Sequence, residues 1–463
     1  MDNNKRQPNS LEDLVYEQKV KPEVSKPRAD LSVTLQNTEQ PMFNNEVMEE
    51  ICSRNNLETA YKKVLQNKGA PGIDNIKVEE FKEFLKENWR TIKEKLLTGT
   101  YKPQAVKRVE IPKPNGGGKR SLGIPCVLDR FIQQAILQVL QGKWDSEFST
   151  NSYGFRPKRS AHQAIIKAQD YVRQGYAYVV DIDLERFFDR VNHDKLMSTL
   201  SKEIADPRLL KLLRAYLNCG IMTDGLVHAS IEGVPQGGPL SPFLSNIVLD
   251  ELDKELEKRG HKFCRFADDC NIYVRSMRAG ARTMRSVTKF IVDKLKLKVN
   301  EHKSAVDKPS KRSFLGFRLI RRPEISCRGI SPKSMSKFKA KVRKITKRSW
   351  NLSMEDRIKV LSRYLQGWYA YFGICETRSV LRDLDSWIRH RLRCVQWKQW
   401  KHYKCRKRNL IKLGVNPQTA HQTAWAGKGI WRMSNMPGTR IGMSIEYFKS
   451  IGLVELTSMK AFN

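Results

Sequence analysis

The sequence has no Cys-x-x-Cys pair: its nine cysteines, at 52, 126, 219, 264, 270, 327, 375, 394 and 405, are scattered and odd in number. That pattern excludes a disulfide framework and a cysteine-held zinc module, and it fits reduced thiols. Long apolar runs are missing as well. Each hydrophobic stretch is short and broken by charge, so no segment is expected to span a bilayer. The opening residues, MDNNKRQPNSLEDL, hold no apolar core, and no secretory signal is expected there. The reading is an intracellular protein without a membrane partner. Internal repeats and heptad seams are also absent. Acidic side chains are in short supply: 49 Asp and Glu stand against 85 Lys and Arg, a net charge of +36. Such a surplus argues against an enzyme of neutral small molecules. It implies a polyanionic partner held through its phosphates and weakened by salt.

What is present suits a large folded protein. The chain has 463 residues with 40% hydrophobic side chains, too long for one ordinary domain and enough for a large core with one or two smaller units. Residues 1–42 are polar, carry Pro8, Pro22, Pro27 and Pro41, and read as a disordered tail. A helical pattern begins near Met42. VKRVEIPKP (106–114) reads as a strand entering a turn, and Gly116, Gly117 and Gly118 as a flexible loop. Phe131, Ile132, Ala135, Ile136, Val139 and Leu140 recur at helical spacing. YAYVVDID (176–183) is a strand, and Lys262 to Val274 two short strands about a tight turn at Ala267–Asp268–Asp269. Beyond about 330 the chain becomes helical and basic. Residues 301–410 hold 30 Lys and Arg against 8 Asp and Glu, which makes this the candidate phosphate-facing region. Its aromatics at 361–372 fall on one helical face and read as core.

The acids carry the chemistry. Side chains alternate along a strand, so Asp181 and Asp183 share one face and Val180 and Ile182 the other. Asp268 and Asp269 sit at a turn tip, where adjacent carboxylates repel unless a cation lies between them. If strand and hairpin are neighbours in one sheet, three carboxylates converge in the manner that holds two Mg²⁺ ions. Taken alone, an Asp-Asp pair reads first as a solvated turn, since Asp is common in turns.

Seven ordered motifs change that balance: PKPNGGGKRSLGIPCVLDRFIQQAI (112–136), SYGFRPKRSAHQAI (152–165), VDIDLERFFDRVNHDKL (180–196), GVPQGGPLSPFLSNIVLDELD (233–253), RFADD (265–269), LKLKVNEHKS (295–304) and FLGFRL (314–319). With these motifs the chain resembles the group II intron-encoded reverse transcriptase-maturases of bacteria, over about residues 45–455. The resemblance implies an α+β fold: a right-hand polymerase, fingers and palm with an antiparallel palm sheet over 43–325, then a helical thumb or maturase domain over 326–410. Residues 411–463 correspond to a short DNA-binding end. The HNH endonuclease of some relatives is not expected.

The same resemblance implies RNA-directed DNA synthesis with two Mg²⁺ ions and dNTP substrates. Asp183, Asp268 and Asp269 correspond to the catalytic, metal-binding acids, with Asp181 a second choice beside Asp183. Phe188 stands where the family blocks a ribose 2′-hydroxyl. Phe266 replaces the usual Tyr of the family's Ala-Asp-Asp motif, which puts a hydroxyl's hydrogen bond in doubt but not the metal site. Lys113, Lys119 and Arg120 correspond to residues that neutralise the incoming triphosphate, with contact to the template backbone as the alternative. Gln236, Gly237 and Gly238 match the loop that approaches the nucleotide. Lys303 is a general-acid candidate for pyrophosphate, or else a phosphate-binding or structural lysine. Arg389, Arg393, Lys401 and Lys404 are candidates for nucleic-acid contact. Expected partners are intron or template RNA and a DNA primer or target, bound by a monomer or homodimer in the bacterial cytoplasm. Two other readings stay open: a splicing factor with dispensable polymerase, and a domesticated reverse transcriptase in DNA repair or defence.

Overall fold

The computed structural model describes residues 41–112, 118–223, 226–228, 232–321 and 326–460. The expected tail lies outside these residues, except for its last two positions. The chain divides into two compact units, one from residues 1–160, 180–272 and 281–305, the other from 161–179, 273–280 and 306–463.

The first unit carries two four-stranded sheets, wholly or in part. One has the order β2-β1-β4-β5, from β1 (Val106–Pro112), β2 (Lys119–Ile124), β4 (Ile221–Thr223) and β5 (Leu226–His228). The other has the order β6-β7-β3-β8, from β3 (Tyr178–Ile182), β6 (Lys262–Phe266), β7 (Asp269–Val274) and β8 (Ala305–Asp307). β1 pairs antiparallel with β2, Val109 opposite Leu122, and parallel with β4. The strand expected at 106–114 is thus present, but KRSLGI (119–124) has no strand signature of its own. Its backbone donors and acceptors are satisfied by β1, and that pairing makes it a strand.

Helices cover these sheets. Helix Val127–Trp144 buries all six of the residues whose spacing predicted it. Helix Ser241–Lys258 begins with Pro242 in its first turn, where a missing N–H costs nothing. It buries Phe243, Leu244, Ile247, Leu249, Leu252 and Leu256.

The second unit has a two-stranded antiparallel sheet, β9 (Phe317–Arg321) with β10 (Ser326–Ile330), and a set of helices from Pro332 onward. Serine and asparagine caps start several of them. Ser331, Ser353 and Asn416 accept from Ser334, Asp356 and Thr419 N–H respectively, satisfying donors the helix leaves open. The core of helix Met354–Phe372 is aromatic: Trp368 lies 4.4 Å from Phe338 and 4.9 Å from Phe372, ring centre to ring centre. The aromatics of 361–372 are therefore packing residues, as their helical face indicated. Residues past 411 belong to this same unit. Asp385 accepts from Leu456 and Thr457 N–H at 2.9 and 3.0 Å, and Tyr369 Oη donates to the Met459 carbonyl. Among the described residues, no helix is long and apolar enough to cross a membrane.

Candidate active site

Asp183 follows the last residue of β3, and Asp269 opens β7, the strand next to β3 in its sheet. Asp268 sits in the two-residue turn between β6 and β7. Val180 and Ile182 are fully buried while Asp181 is half-buried, the alternation expected of a strand with one face in the core. Asp183, Asp268 and Asp269 are all of intermediate exposure. The chain is held at Asp183 from two sides. Its N–H meets Ser304 Oγ at 3.0 Å, and its carbonyl accepts from Asn300 N–H at 2.8 Å. Lys303 Nζ donates to Asp183 Oδ2 at 3.2 Å. The donors are hard carboxylate oxygens, the chemistry that suits Mg²⁺. Neighbouring strands bring them to one region of the sheet. Among the described residues, however, no three His, Cys, Asp or Glu side chains stand close enough to enclose a metal. The donor chemistry suits the ion, and the carboxylates do not form a closed ligand set.

The turn bearing Asp268 and Asp269 is braced by a buried arginine. Arg265, the next-to-last residue of β6, is completely buried. It forks onto Asp253 of helix Ser241–Lys258, with Nε at 2.8 Å from Oδ1 and Nη2 at 2.5 Å from Oδ2. Its Nη1 donates to Asn246 Oδ1 and to the Ala267 carbonyl, both at 3.0 Å, and Nη2 donates to Ser152 Oγ at 2.7 Å. One side chain thus ties the helix, the 152–156 loop and the turn itself. Burial pushes the Asp253 carboxyl up, with the Arg265 charge acting against it.

The SYGFRP segment is the other half of the brace. Asn151 and Tyr153 exchange backbone hydrogen bonds with Arg265. A Cβ on Gly154 would lie 2.2 Å from the Ala267 nitrogen, so only glycine lets this loop abut the turn. Ala267 itself has φ 57°. Arg156, also buried, donates to the Asp145 carboxylate at 2.8 Å and to the Ser149 carbonyl at 2.6 Å, fixing the loop from beneath. Reading the residues one by one missed Arg265, Asp253, Ser152 and Gly154. The available signal was a lone arginine in the apolar strand KFCRF and a lone acid on the buried face of a helix.

A cavity of about 660 Å³ opens beside the β2-β1-β4-β5 sheet, lined by Val106, Arg108, Phe188, Asp189, Gly233 and Gln236 among others. Phe187 is buried and Phe188 half-buried, so the second ring of the pair is the one that walls the cavity. The GVPQGG loop is pinned on both flanks. Gly233 N–H donates to the Val191 carbonyl and Val234 N–H to the Phe188 carbonyl. Gly123 N–H donates to the Gln236 carbonyl at 2.8 Å. Gly237 has φ 138°, and a Cβ there would meet the Gly123 carbonyl at 2.4 Å. Gly238 would strike Gln133 Oε1 in the same way. Gln236 Nε2 donates to Asp189 Oδ1 at 3.1 Å. The loop therefore lines the cavity beside Phe188. Lys119 is exposed and pairs with Glu110 at 2.9 Å, which holds that carboxyl below the usual range. Arg120 lies opposite Ile111 in the β1–β2 pairing. Lys113 lies outside the described residues.

The four cations proposed for nucleic acid fall into two kinds. Arg389 is mostly buried and ion-paired with Glu455 at 2.6 Å. Arg393 is buried and donates to the Met443 carbonyl; burial lowers its pKa to about 10. Both serve the interior of the second unit. Lys401 and Lys404 are exposed.

Comparison with known proteins shows what the chain is similar to. The reverse transcriptase (RNA-dependent DNA polymerase) family model matches residues 111–319, and the group II intron maturase-specific domain matches 335–414. Protein YkfC of Escherichia coli (strain K12) is 34% identical over 307 residues, 58% of this chain and 80% of that protein. The group II intron-encoded protein LtrA of Lactococcus lactis subsp. cremoris is 36% identical over 208 residues, covering 44% of this chain and 34% of LtrA. The putative COX1/OXI3 intron 2 protein of Saccharomyces cerevisiae is 33% identical over 207 residues, 44% of this chain and 24% of that one. The match thus spans most of YkfC but a minor part of the two intron proteins.

Proposed function

The chain belongs to the group II intron reverse transcriptase-maturase family, and from that premise we propose that it copies RNA into DNA at Asp183, Asp268 and Asp269, binds intron RNA through its basic helical half, and assists that RNA's splicing and mobility. One observation carries the reading: the Asp268–Asp269 turn opens onto the strand next to β3, which Asp183 directly follows, and a fully buried Arg265 clamp is spent on holding that turn.

Asp183, Asp268 and Asp269 are the groups that would hold two divalent ions. Bound Mg²⁺ supplies activation of a primer 3′-hydroxyl and neutralisation of the leaving pyrophosphate. The remaining work falls to the protein. Lys303 lends a positive charge to Asp183 at 3.2 Å and stands ready to protonate the departing pyrophosphate. Phe188 presents a rigid ring to the cavity, where an added 2′-hydroxyl meets it. Gln236 and the adjoining glycines let backbone come close to base and sugar. Lys119, with Lys113 and Arg120 near it in sequence, meets the triphosphate; its exchange of Glu110 for phosphate costs little because that pair is exposed.

Primer extension on an RNA template with dNTPs and Mg²⁺ tests the assignment. Wild type should extend. Asp268→Ala and Asp269→Ala should lose extension while keeping their RNA affinity. Normal extension by either variant would remove the acid from the catalytic set. A folded wild type that binds RNA tightly without extending would favour the splicing-factor reading.

A further inference from the structure

Sixty residues, 386–445, contain thirteen Lys and Arg and no Asp or Glu. Within this stretch two aromatic rings are packed away, Trp397 at 1% and Trp400 at 8% exposed, and Trp387 and Tyr403 are half-buried. The last two stand out: Trp425 is 74% and Trp431 49% exposed. Single exposed apolar residues are ordinary on a protein surface, but these two share features that scatter does not produce.

Each indole is backed by a histidine. Trp425 stacks on His421 with ring centres 6.2 Å apart and planes 26° apart, and Tyr403 stands edge-on to it at 5.7 Å. Tyr403 Oη and His421 Nδ1 are 2.6 Å apart, which locks the support. Trp431 stacks on His390 at 3.8 Å and 23°, and His390 Nε2 meets the Trp431 carbonyl at 2.9 Å. The rings are therefore held in place while still facing solvent, so little side-chain entropy remains to be lost on binding.

The two indoles bracket one five-residue segment, Ala426–Gly427–Lys428–Gly429–Ile430, and so lie within about 20 Å along the chain. A Cβ on Gly427 or Gly429 would touch nothing, and neither glycine has positive φ. Neither packing nor backbone conformation demands glycine at these positions. What they provide is bare backbone around a single exposed lysine. Lys401, Lys404, Lys428 and Arg432 are all exposed.

We propose that Trp425 and Trp431, backed by His421 and His390, form a stacking platform for unpaired bases of RNA, with Lys428 and its basic neighbours taking the phosphates. Aromatic rings set in a cationic groove are the general device for single strands, because every base offers a π-face. A protein-binding patch would be depleted in lysine at its centre, and this one is rich in it with no acid to balance the charge. The choice of RNA over DNA rests on the maturase reading proposed above; residues 411–463 themselves resemble the family's DNA-binding end, so single-stranded DNA is the rival ligand that the test includes. The two exposed indoles lie beyond the aromatics of 331–408, and from that segment only His390 and Tyr403 support them.

The test uses the full-length protein and fluorescence anisotropy with three probes: single-stranded RNA, duplex RNA of the same length, and single-stranded DNA. The Trp425→Ala/Trp431→Ala double variant should lose about tenfold or more in affinity for single-stranded RNA. Its duplex affinity and salt slope should be unchanged, and Trp→Tyr replacements should restore most of the loss. Unchanged single-strand affinity overturns the proposal, as does an equal loss on the duplex. A loss confined to DNA overturns the choice of RNA. A shift in self-association by sedimentation, with RNA binding intact, would assign the patch to a protein interface. Primer extension by the same variant on a pre-annealed template keeps the outcomes separate. If extension persists while single-strand binding falls, the platform is independent of the polymerase. If wild type itself binds no RNA, it is the maturase reading that fails.

Discussion

Arg265 bears a charge where no water reaches it, and each of its three guanidinium nitrogens has an acceptor. Breaking a buried pair by removing one partner typically costs about 3–5 kcal/mol, because the other charge is stranded. Arg265→Met should therefore lower stability and disorder the turn that carries Asp268 and Asp269. Ser152→Ala is the gentler probe. It removes a single acceptor of Arg265, at 2.7 Å, and should leave the fold intact at a cost of about 1–2 kcal/mol. Primer extension by Ser152→Ala should need more Mg²⁺ for half-maximal rate, since the acids would be less well held. A Mg²⁺ profile equal to wild type would show that the clamp serves folding alone. Phe188 calls for a different measurement. Its ring walls the cavity beside Gln236, and Phe188→Ala should raise ribonucleotide incorporation relative to dNTPs. Unaltered discrimination in competition assays would move the gate to another residue.

At the scale of elements, helix Val127–Trp144 contains an acid that its apolar pattern does not explain. Asp129 is 1% exposed and accepts from Tyr101 Oη at 2.9 Å and from Gln104 N–H at 3.2 Å. Burial pushes its pKa up to about 6, against the lowering effect of those bonds. The folded state then binds a proton more tightly than the unfolded chain does. Stability from this carboxyl is present below about pH 4 and is lost as pH rises to 6, by about 3 kcal/mol in all. Urea midpoints measured from pH 4 to 7 should fall more steeply for wild type than for Asp129→Asn, and parallel curves would refute this. The elements also differ in how readily the chain announced them. β3, β6 and β7 are rich in β-branched or aromatic residues and were legible. β2 was not, because its strand character comes from its pairing with β1. The hairpin turn was legible from Ala267–Asp268, whereas the glycine that makes room for it, Gly154, sits more than a hundred residues earlier.

For the whole molecule, the +36 net charge sets how binding responds to salt. Affinity for RNA should fall linearly on a log–log plot of salt concentration, with a slope that counts the phosphates neutralised. Lys401→Ala and Lys404→Ala should each reduce that slope by about one contact. Arg389→Ala should change stability more than slope, since its partner is Glu455. Equal slope changes for all three would mean that Arg389 leaves its internal partner when RNA binds. The sequence by itself determined the class of the polymerase and the helical, basic character of its second half, and it marked out the acids proposed for the centre. Those properties are local: alternation, periodicity and the order of motifs are written along the chain. Only the tertiary structure decided which cations are free and which are internal braces. It alone paired Arg265 with Asp253, turned Arg389 and Arg393 inward, and left Trp425 and Trp431 in solvent. Burial is set by neighbours that are distant in sequence, and a side chain's chemistry depends on them as much as on its type.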